Sequence, residues 1–595
     1  MSITQETLEM HLKSPAILCC KREKGLTISA ADLEDPGLFD DLQESGLLKL
    51  TPDSLTIEQV LGSTLLQDVD ALTPITKEVL DKVNEVEEVA SAVTTDEVSE
   101  KEELPAKKIQ STYGGNGMIH IEIGKAEKFE GLKLDVPVIA GDGAVAAPVT
   151  DVPQNLGEKK VIRTLIKKHI KINDVKLGKE TTIKDGVITI DKDIVKKAIK
   201  EDSLVKSLTL DVIYPDQRHI YTETIMDVAP IATKVEGVLG EGVTKVVDGV
   251  VFMLTGVDED GVQIHEFGSS EGYLDEKMAY GHPGCADEND IIIRCHAVVE
   301  RLTGMTRPGP FAAHKCEDYI IQAVRDELKD YEGEVIREEV CEDIRRVGNP
   351  RVVLVKEIMG QGAMHDNILC PVEPCGVAGG AKNVDLGNVP ILLTPNQVRD
   401  GSIHALTCIG PATKEMTRHY IREPLVEGLA ADEELDLIGV VFVGSPQVND
   451  EKMWVSERLG TMLEGLDIDG CIITTEGFGN NHIDFIEHIG QAGKRDIPVV
   501  GVSFCAYQGQ LVVGNKYATA MIEENLDKGG FENDIAGCSC VTKSVAKRAI
   551  QMLKNVMSGV KILPAEKKWN HNVINANNKL VGCPESELVD SGTLH

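Results

Sequence analysis

Apolar and polar positions alternate between residues 118 and 140 (IHIEIG, LKLDVPVIA), the period of two expected of half-buried strands. The stretch AGDGAVAAPVTDVPQN that follows is rich in Ala, Gly and Pro and reads as a hinge. From 160 to 300 basic residues are mixed with β-rich apolar segments (VITID, LTLDVIY, KVVDGVVFML, DIIIRCHAVVE), and a helical pattern, CEDYIIQAVRDELK, follows at 316–329. The pattern changes near 350. Short β-branched runs are RVVLVKEI, VPILLT, LIGVVFVGS (437–445), GCIITT (470–475) and IPVVGVSF (497–504). They alternate with helical patterns at about 450–466 and 481–493. That alternation predicts βαβ units on a parallel sheet.

The fold class expected is therefore multidomain, α/β and α+β, with a mainly parallel, Rossmann-like sheet in the C-terminal part. Residues 1–75 read as a small helical module, 76–112 as an acidic linker, 113–155 as a β-rich segment and hinge, 156–348 as an α+β domain and 349–595 as an α/β domain. In the first module Asp32 and Asp35 fall near helix starts and Gly46 at a stop, and TPDSLTIEQVLG resembles a capping box before a short helix. Residues 78–104 hold ten acidic residues against Lys82 and Lys101 and no aromatics, a linker composition; a solvated helix over part of it is the alternative.

Charge narrows the function. The 595 residues carry 61 Lys+Arg and 97 Asp+Glu, a net −36, which argues against binding nucleic-acid phosphates or anionic lipid. Aromatics are 4%, too few to suggest stacking platforms for bases. The start, MSITQETLEMHLKS, lacks a signal-peptide pattern, and no run of 18 apolar residues occurs, so a cytoplasmic protein is expected. The 14 cysteines then read as free thiols, and none is spaced C-x-x-C, so no metal site is expected from spacing.

Parallel sheets bind ligands beyond the carboxyl ends of their strands. Here those places are 444–447, 476–482 and 505–509. TTEGFGNNHIDF offers Glu476, Asn480, Asn481, His482 and Asp484 within nine residues after a strand. One Asn caps the next helix in the plain reading, which leaves the others unexplained. EIMGQGAMHDNI holds glycines followed by His365, Asp366 and Asn367; it is not a P-loop, because Lys and Ser/Thr do not follow. In IHALTCIGPATKEMTRHYIREP a turn is forced by Gly410 and Pro411 directly after Cys408, which taken alone is a buried core thiol.

These motifs together with NVDLGNVPILLTP and VVFVGSPQVN resemble, in the same order, the pyruvoyl-containing subunit precursors of D-proline reductase. That family stands with the substrate subunits of glycine, sarcosine and betaine reductases. The likeness runs from about 160 to about 570, and ILCCKREKG and DLEDPGLFDDLQESGLL extend it to the N-terminal region.

The resemblance implies self-cleavage at Thr407–Cys408. The Cys408 sulfur attacks the Thr407 carbonyl, elimination releases the upstream chain, and hydrolysis leaves a covalent pyruvoyl group. His404 is placed to act as a base. The products are 1–407 and 408–595. The pyruvoyl carbonyl takes up D-proline as an iminium adduct, and a selenolate on a separate selenocysteine-containing subunit opens the ring to 5-aminovalerate, a step of amino-acid fermentation. The implied partners are that subunit, the chain's own cleaved N-terminal part, a thiol or electron-transfer donor protein and D-proline, in a hetero-oligomer. Glu476 or Asp484 would carry protons. His482, Asn480 and Asn481 would hold the substrate carboxylate or the pyruvoyl oxygens. His365 and Asp366 would line the same pocket, and Arg418 would pair with a carboxylate or sit in a surface salt bridge. Cys370, Cys375, Cys505, Cys538 and Cys540 are more thiols than expected near such a site, as core or as resolving groups. The alternatives are a substrate subunit for glycine, sarcosine or betaine, and a non-catalytic paralogue that scaffolds the complex.

Overall fold

A computed structural model describes residues 8–83 with interruptions, three strands within 110–137, and most of 159–562; the stretches left out of that last span are chiefly 265–269, 305–307, 360–366, 370–383, 406–414, 476–479, 504–512 and 525–534. The chain divides into two compact units, Glu85–Asn155 and the remainder. The smaller unit holds a three-stranded antiparallel sheet, Gln110–Gly114, Met118–Ile123 and Leu132–Pro137, the last two where alternation predicts strands.

In the larger unit, the helix expected in DLEDPGLFDDLQESGLL lies largely outside the described residues. Elsewhere in 8–83 the described helices are single turns, such as Ile57–Val60, joined by single β-bridges such as Ile17↔Pro74 and Thr27↔Thr64. The apolar runs here are short and broken by Pro and Gly, so no amphipathic helix reaches a stable length; Ala16, Leu18, Ile28, Leu33, Val60 and Ile75 are instead buried against one another. The expected capping box is present, with Thr56 as N-cap and its backbone N–H donating to Gln59 at 2.9 Å.

The middle region is built on two mixed four-stranded sheets and one long helix, beside a small three-stranded sheet within 174–191 and a two-stranded one. We label its strands β1 (Lys159–Lys171), β2 (Val205–Ile213), β3 (Ile225–Ala229), β4 (Ala232–Glu236), β5 (Gly242–Asp248), β6 (Val250–Asp258) and β7 (Ile291–Val299), then α1 (Pro308–Asp330) and β8 (Val335–Arg346). The sheets run β3-β6-β7-β2 and β4-β5-β1-β8. Helix α1 buries Ala312, Ala313, Cys316, Ile320, Ile321, Val324 and Leu328, a stripe at helical spacing, against these strands.

The last region holds the parallel sheet: β9 (Arg351–Met359), β10 (Ile391–Leu393), β11 (Ile403–Ala405), α2 (Pro424–Ala431), β12 (Asp436–Ser445), α3 (Asn449–Leu466), β13 (Gly470–Thr475), α4 (Asn480–Gly493), β14 (Val499–Ser503), β15 (Met521–Glu523) and α5 (Lys543–Met557). The six-stranded order is β10-β12-β9-β13-β14-β15, with every neighbour pair parallel except β10–β12. One face packs on α2 and α5, the other on α3 and α4. Both faces being covered, the strands are apolar throughout rather than alternating. β11 lies outside this sheet, paired with 367–369. The protein is thus mixed α/β with several sheets, one of them mostly parallel.

Candidate active site

Strand β9 carries two adjacent charges in an otherwise apolar run. Val352, Leu354 and Ile358 face α2 and α5; Val353 and Val355 face α3 and α4. The pleat therefore sends Lys356 to the first face and Glu357 to the second. Both are fully buried. A buried charge is tolerated only when it is countered, and each face supplies its counterpart.

On the first face Lys356 Nζ donates to Glu415 and lies 3.3 Å from Glu423 Oε1, while His419 Nε2 is 2.9 Å from Glu423 Oε2. Burial opposes the charge on Lys356, but Glu415 and Glu423 outweigh it and its pKa is raised. Burial likewise opposes the Glu423 carboxylate, and Lys356 with His419 holds it below the usual range.

On the second face, at the carboxyl ends of the strands, Thr475 donates to Glu357 Oε1 at 2.9 Å and His488 Nε2 is 3.5 Å from Glu357 Oε2. Lys452 from α3 bridges Asp484 Oδ1 at 2.9 Å and the Ser445 hydroxyl at 2.7 Å. All these side chains except Ser445 and Thr475 are fully buried, and those two nearly so. Burial, then the Asp484 charge, lifts the Glu357 carboxyl well above its ordinary value. Burial also raises Asp484, against the pull of Lys452. Burial, reinforced by Lys452, presses His488 down to about 3. The group is an acid–base cluster in which burial disfavours the charged forms of Glu357, Asp484 and His488 beside Lys452. His482 lies on the same helix with its Nε2 3.0 Å from Ser503 Oγ, at the end of β14.

His404 belongs to a different cluster. Its Nε2 is 3.6 Å from Asp227 Oδ2, and its ring stands edge-on to His314, with centroids 5.4 Å apart. Thr417 donates to Asp227 through its backbone N–H (2.9 Å) and hydroxyl (2.6 Å), and its hydroxyl oxygen accepts from Ala405 N–H at 2.9 Å. Burial raises Asp227, with His404 and Thr417 opposing. Thr417 thus ties together the two sides of the 406–414 stretch, which carries Thr407 and Cys408. Glu415, the next residue, is the partner of Lys356.

Of the residues singled out in the sequence, Thr407, Cys408, Glu476, His365 and Asp366 lie outside the described residues. Asn481 and Asp484 join the Glu357 cluster, with His482 beside it. Asn480 opens α4, and its Oδ1 is buried with no hydrogen-bond partner among the described residues. Arg418 stands apart from them, donating to Asp290 at 2.6 Å and Asp287 at 2.9 Å; it takes the salt-bridge role, though with its guanidinium largely buried. It lines a cavity of about 970 Å³ with Arg422, Arg399 and Lys547, and none of the other five described candidates lines that cavity. Cys540 is buried and its thiol is raised well above its usual pKa by burial, as for a core thiol. Lys356, Glu357, Lys452, His488, Asp227 and His314 were not singled out. The one signal available was Lys-Glu inside the apolar run RVVLVKEI.

All these clusters fall within residues 163–522, the span that matches the family model described as glycine/sarcosine/betaine reductase component B subunits. The chain belongs to that component B family. It is on that ground an oxidoreductase. Among relatives of this component B chain, the D-proline reductase proprotein PrdA of Acetoanaerobium sticklandii is 48% identical over 98% of this chain and 95% of its own length. The glycine reductase complex component B subunits alpha and beta of the same organism are 26% identical over 65% of this chain and 86% of theirs. The sarcosine reductase complex component B subunit alpha of Peptoclostridium acidaminophilum is 25% identical over 53% and 73%. No solved structure matches. Among the described residues no helix is long and apolar enough to cross a membrane.

Proposed function

We propose that this chain is the proprotein of the pyruvoyl-dependent subunit of a D-proline reductase. The observation that carries this reading is the near full-length likeness to a D-proline reductase proprotein, in a chain whose Thr407-Cys408 pair sits in a stretch closed by the Ala405–Thr417 hydrogen bond. The glycine and sarcosine relatives cover little more than half to two thirds of the chain.

The residues present suit formation of a pyruvoyl group. Cys408 supplies the sulfur that attacks the Thr407 carbonyl, so the backbone amide becomes a thioester. Loss of the Cys408 α-proton then breaks the C–S bond and releases residues 1–407 as a thiocarboxylate. Water replaces the nitrogen of the remaining dehydroalanine, ammonia leaves, and residues 408–595 begin with a keto cap. The group supplies an electrophilic carbonyl able to take up a secondary amine, which no ordinary side chain offers.

We read the six-stranded sheet as Rossmann-like and the α/β domain as 349–595. Its five parallel strands, counted in chain order, lie 2-1-3-4-5, and such sheets bind ligands where the order reverses. Glu357 lies near the carboxyl end of β9, beside Thr475 of β13, at that place. Glu357, kept protonated by burial, is the proton donor of this reading, and Asp484 with Lys452 its relay. His482, Asn480 and Asn481 orient the substrate carboxylate, with Glu476, His365 and Asp366 from the adjoining segments. Arg418, already held by two aspartates, takes no part. The reductive nucleophile comes in trans from a selenocysteine-containing subunit of a hetero-oligomeric complex, itself reduced by a thiol donor.

Denaturing electrophoresis with hydrazide labelling tests this. The wild-type chain should give two bands, the 188-residue one (595 − 407) labelled, and Cys408→Ala a single unlabelled band. A wild-type chain that stays whole and unlabelled, or a Cys408→Ala chain that still splits, overturns it.

A further inference from the structure

The Asp227 cluster lacks something. Asp227 comes from β3, His314 from α1 and His404 from β11, three elements far apart in sequence, and all three side chains are essentially fully buried. His314 Nδ1 is 2.7 Å from the Pro310 carbonyl. A carbonyl only accepts, so Nδ1 bears the hydrogen, and in the neutral ring Nε2 is a bare lone pair. That lone pair faces Asp227 Oδ2 at 3.8 Å, and His404 Nε2 approaches the same oxygen to 3.6 Å. Two imidazole nitrogens gathered on one buried carboxylate, with the His314 lone pair among them, form a donor set that a cation can occupy.

The charge count points the same way. Glu317, one helical turn after His314 on α1, is fully buried, and neither of its oxygens has a hydrogen-bond partner among the described residues. It adds a second buried acidic group to the neighbourhood of Asp227. Of the cations on that helix, Lys315 pairs with Asp202 at 3.1 Å and Arg325 with Asp318 at 2.8 Å. Among the described residues these pairings leave Glu317 with no hydrogen-bonded cation. Orphaned buried polar atoms are rare and mark a place for an ion or water.

We propose that Asp227, His314 and His404 bind a divalent first-row transition-metal ion, zinc being the simplest case. Their ligating atoms lie within 4.8 Å of one another. Bonds of about 2.0–2.1 Å in a tetrahedral site place ligand atoms about 3.3 Å apart, so the two spacings to Asp227, 3.6 and 3.8 Å, need close by only a few tenths of an ångström. Imidazole and carboxylate are the donors such ions take. The His314–Pro310 bond is the outer contact that fixes a ligating ring, and Thr417 plays that part for the carboxylate. Three protein ligands leave a tetrahedral ion one open position. The ion would staple β3, α1 and β11 together immediately before the 406–414 stretch. His404 would then be a ligand and not the base suggested by its place in the sequence. The site stands independently of chain scission.

The test uses full-length protein, without a histidine tag, as wild type and as Cys408→Ala, so that metal binding and scission are read separately. Elemental analysis after dialysis should give about one transition-metal ion per chain in both. Chelation followed by cobalt(II) should restore one equivalent with the visible bands of a histidine-carboxylate site. His314→Ala and Asp227→Asn, checked for folding by circular dichroism, should lose both signals. Less than about a tenth of an equivalent in folded wild type, as purified and after dialysis against zinc, overturns the proposal and leaves protonated histidines as the countercharge. Retention of the cobalt spectrum by a folded His314→Ala, His404→Ala double variant overturns it equally.

Discussion

The two acid–base clusters are built from the same residue types and differ in one. The cluster at the strand ends has Glu357, Asp484 and His488 together with Lys452, whose ammonium reaches Asp484 at 2.9 Å. The cluster beneath β11 has Asp227, Glu317, His314 and His404, and its nearest arginine is already paired with Asp318. The first has a lysine within its own hydrogen-bonded group; the second, on the proposal above, takes its cation from outside. Since an unpaired buried charge costs more than a paired one returns, the difference separates a finished proton-handling group from an ion site.

Removing the internal cation should make the first cluster resemble the second. Lys452→Met leaves Asp484 buried without its partner and should cost about 3–5 kcal/mol in denaturant unfolding; a cost below about 1 kcal/mol would mean the lysine is not the countercharge. Asp227→Asn comes next. It strips a charged acceptor from both Thr417 donors and should cost about 1–3 kcal/mol. The loss should be larger for metal-replete protein than for chelated protein, and equal losses would remove the distinction drawn here.

Acid exposes the third difference. His488 titrates near 6.5 when unfolded and at about 3 when folded. Below 6.5 the unfolded chain takes the proton first, so stability should be full above that pH and decline towards 3. Thermal melts of His488→Gln should show a flatter acid limb than the wild type; an unchanged limb would show that the ring is not the titrating group. Glu357 has the opposite sign. Its raised folded value contributes stability that is present below the ordinary carboxyl range and is lost as pH rises through the folded value. The smallest effect concerns the same carboxyl, which burial pushes towards its neutral form. Glu357→Gln replaces one neutral acceptor with another and should change stability by less than about 1 kcal/mol, yet it should depress turnover with D-proline. Unchanged turnover would take Glu357 out of the chemistry.

The helices α3 and α4 begin within a residue of where the sequence periodicity puts them, because alternating apolar runs and helical stripes are local signals. In the N-terminal module, single bridges between distant residues join the described one-turn helices, a pairing that no local pattern in the sequence signals. Asp484, Asn481 and His482 were visible as a polar cluster after a strand. Lys452 was not, since nothing in NDEKMWVSERLG separates a core lysine from the solvated ones around it. Asp227 and His314 were equally hidden, one in a β-rich run and the other on a helix, with 190 positions between Asp227 and Thr417.

The sequence by itself determined the strands and helices of the parallel sheet, the motif order that marks the component B family and the Thr407-Cys408 pair. These are properties of neighbours along the chain. The tertiary structure alone decided which charges meet. The pleat of β9 parts Lys356 from Glu357, packing of α3 on α4 joins Lys452 to Asp484, and β3, α1 and β11 converge on one carboxylate, because countercharge in a core is set by distance in space and not by separation in sequence.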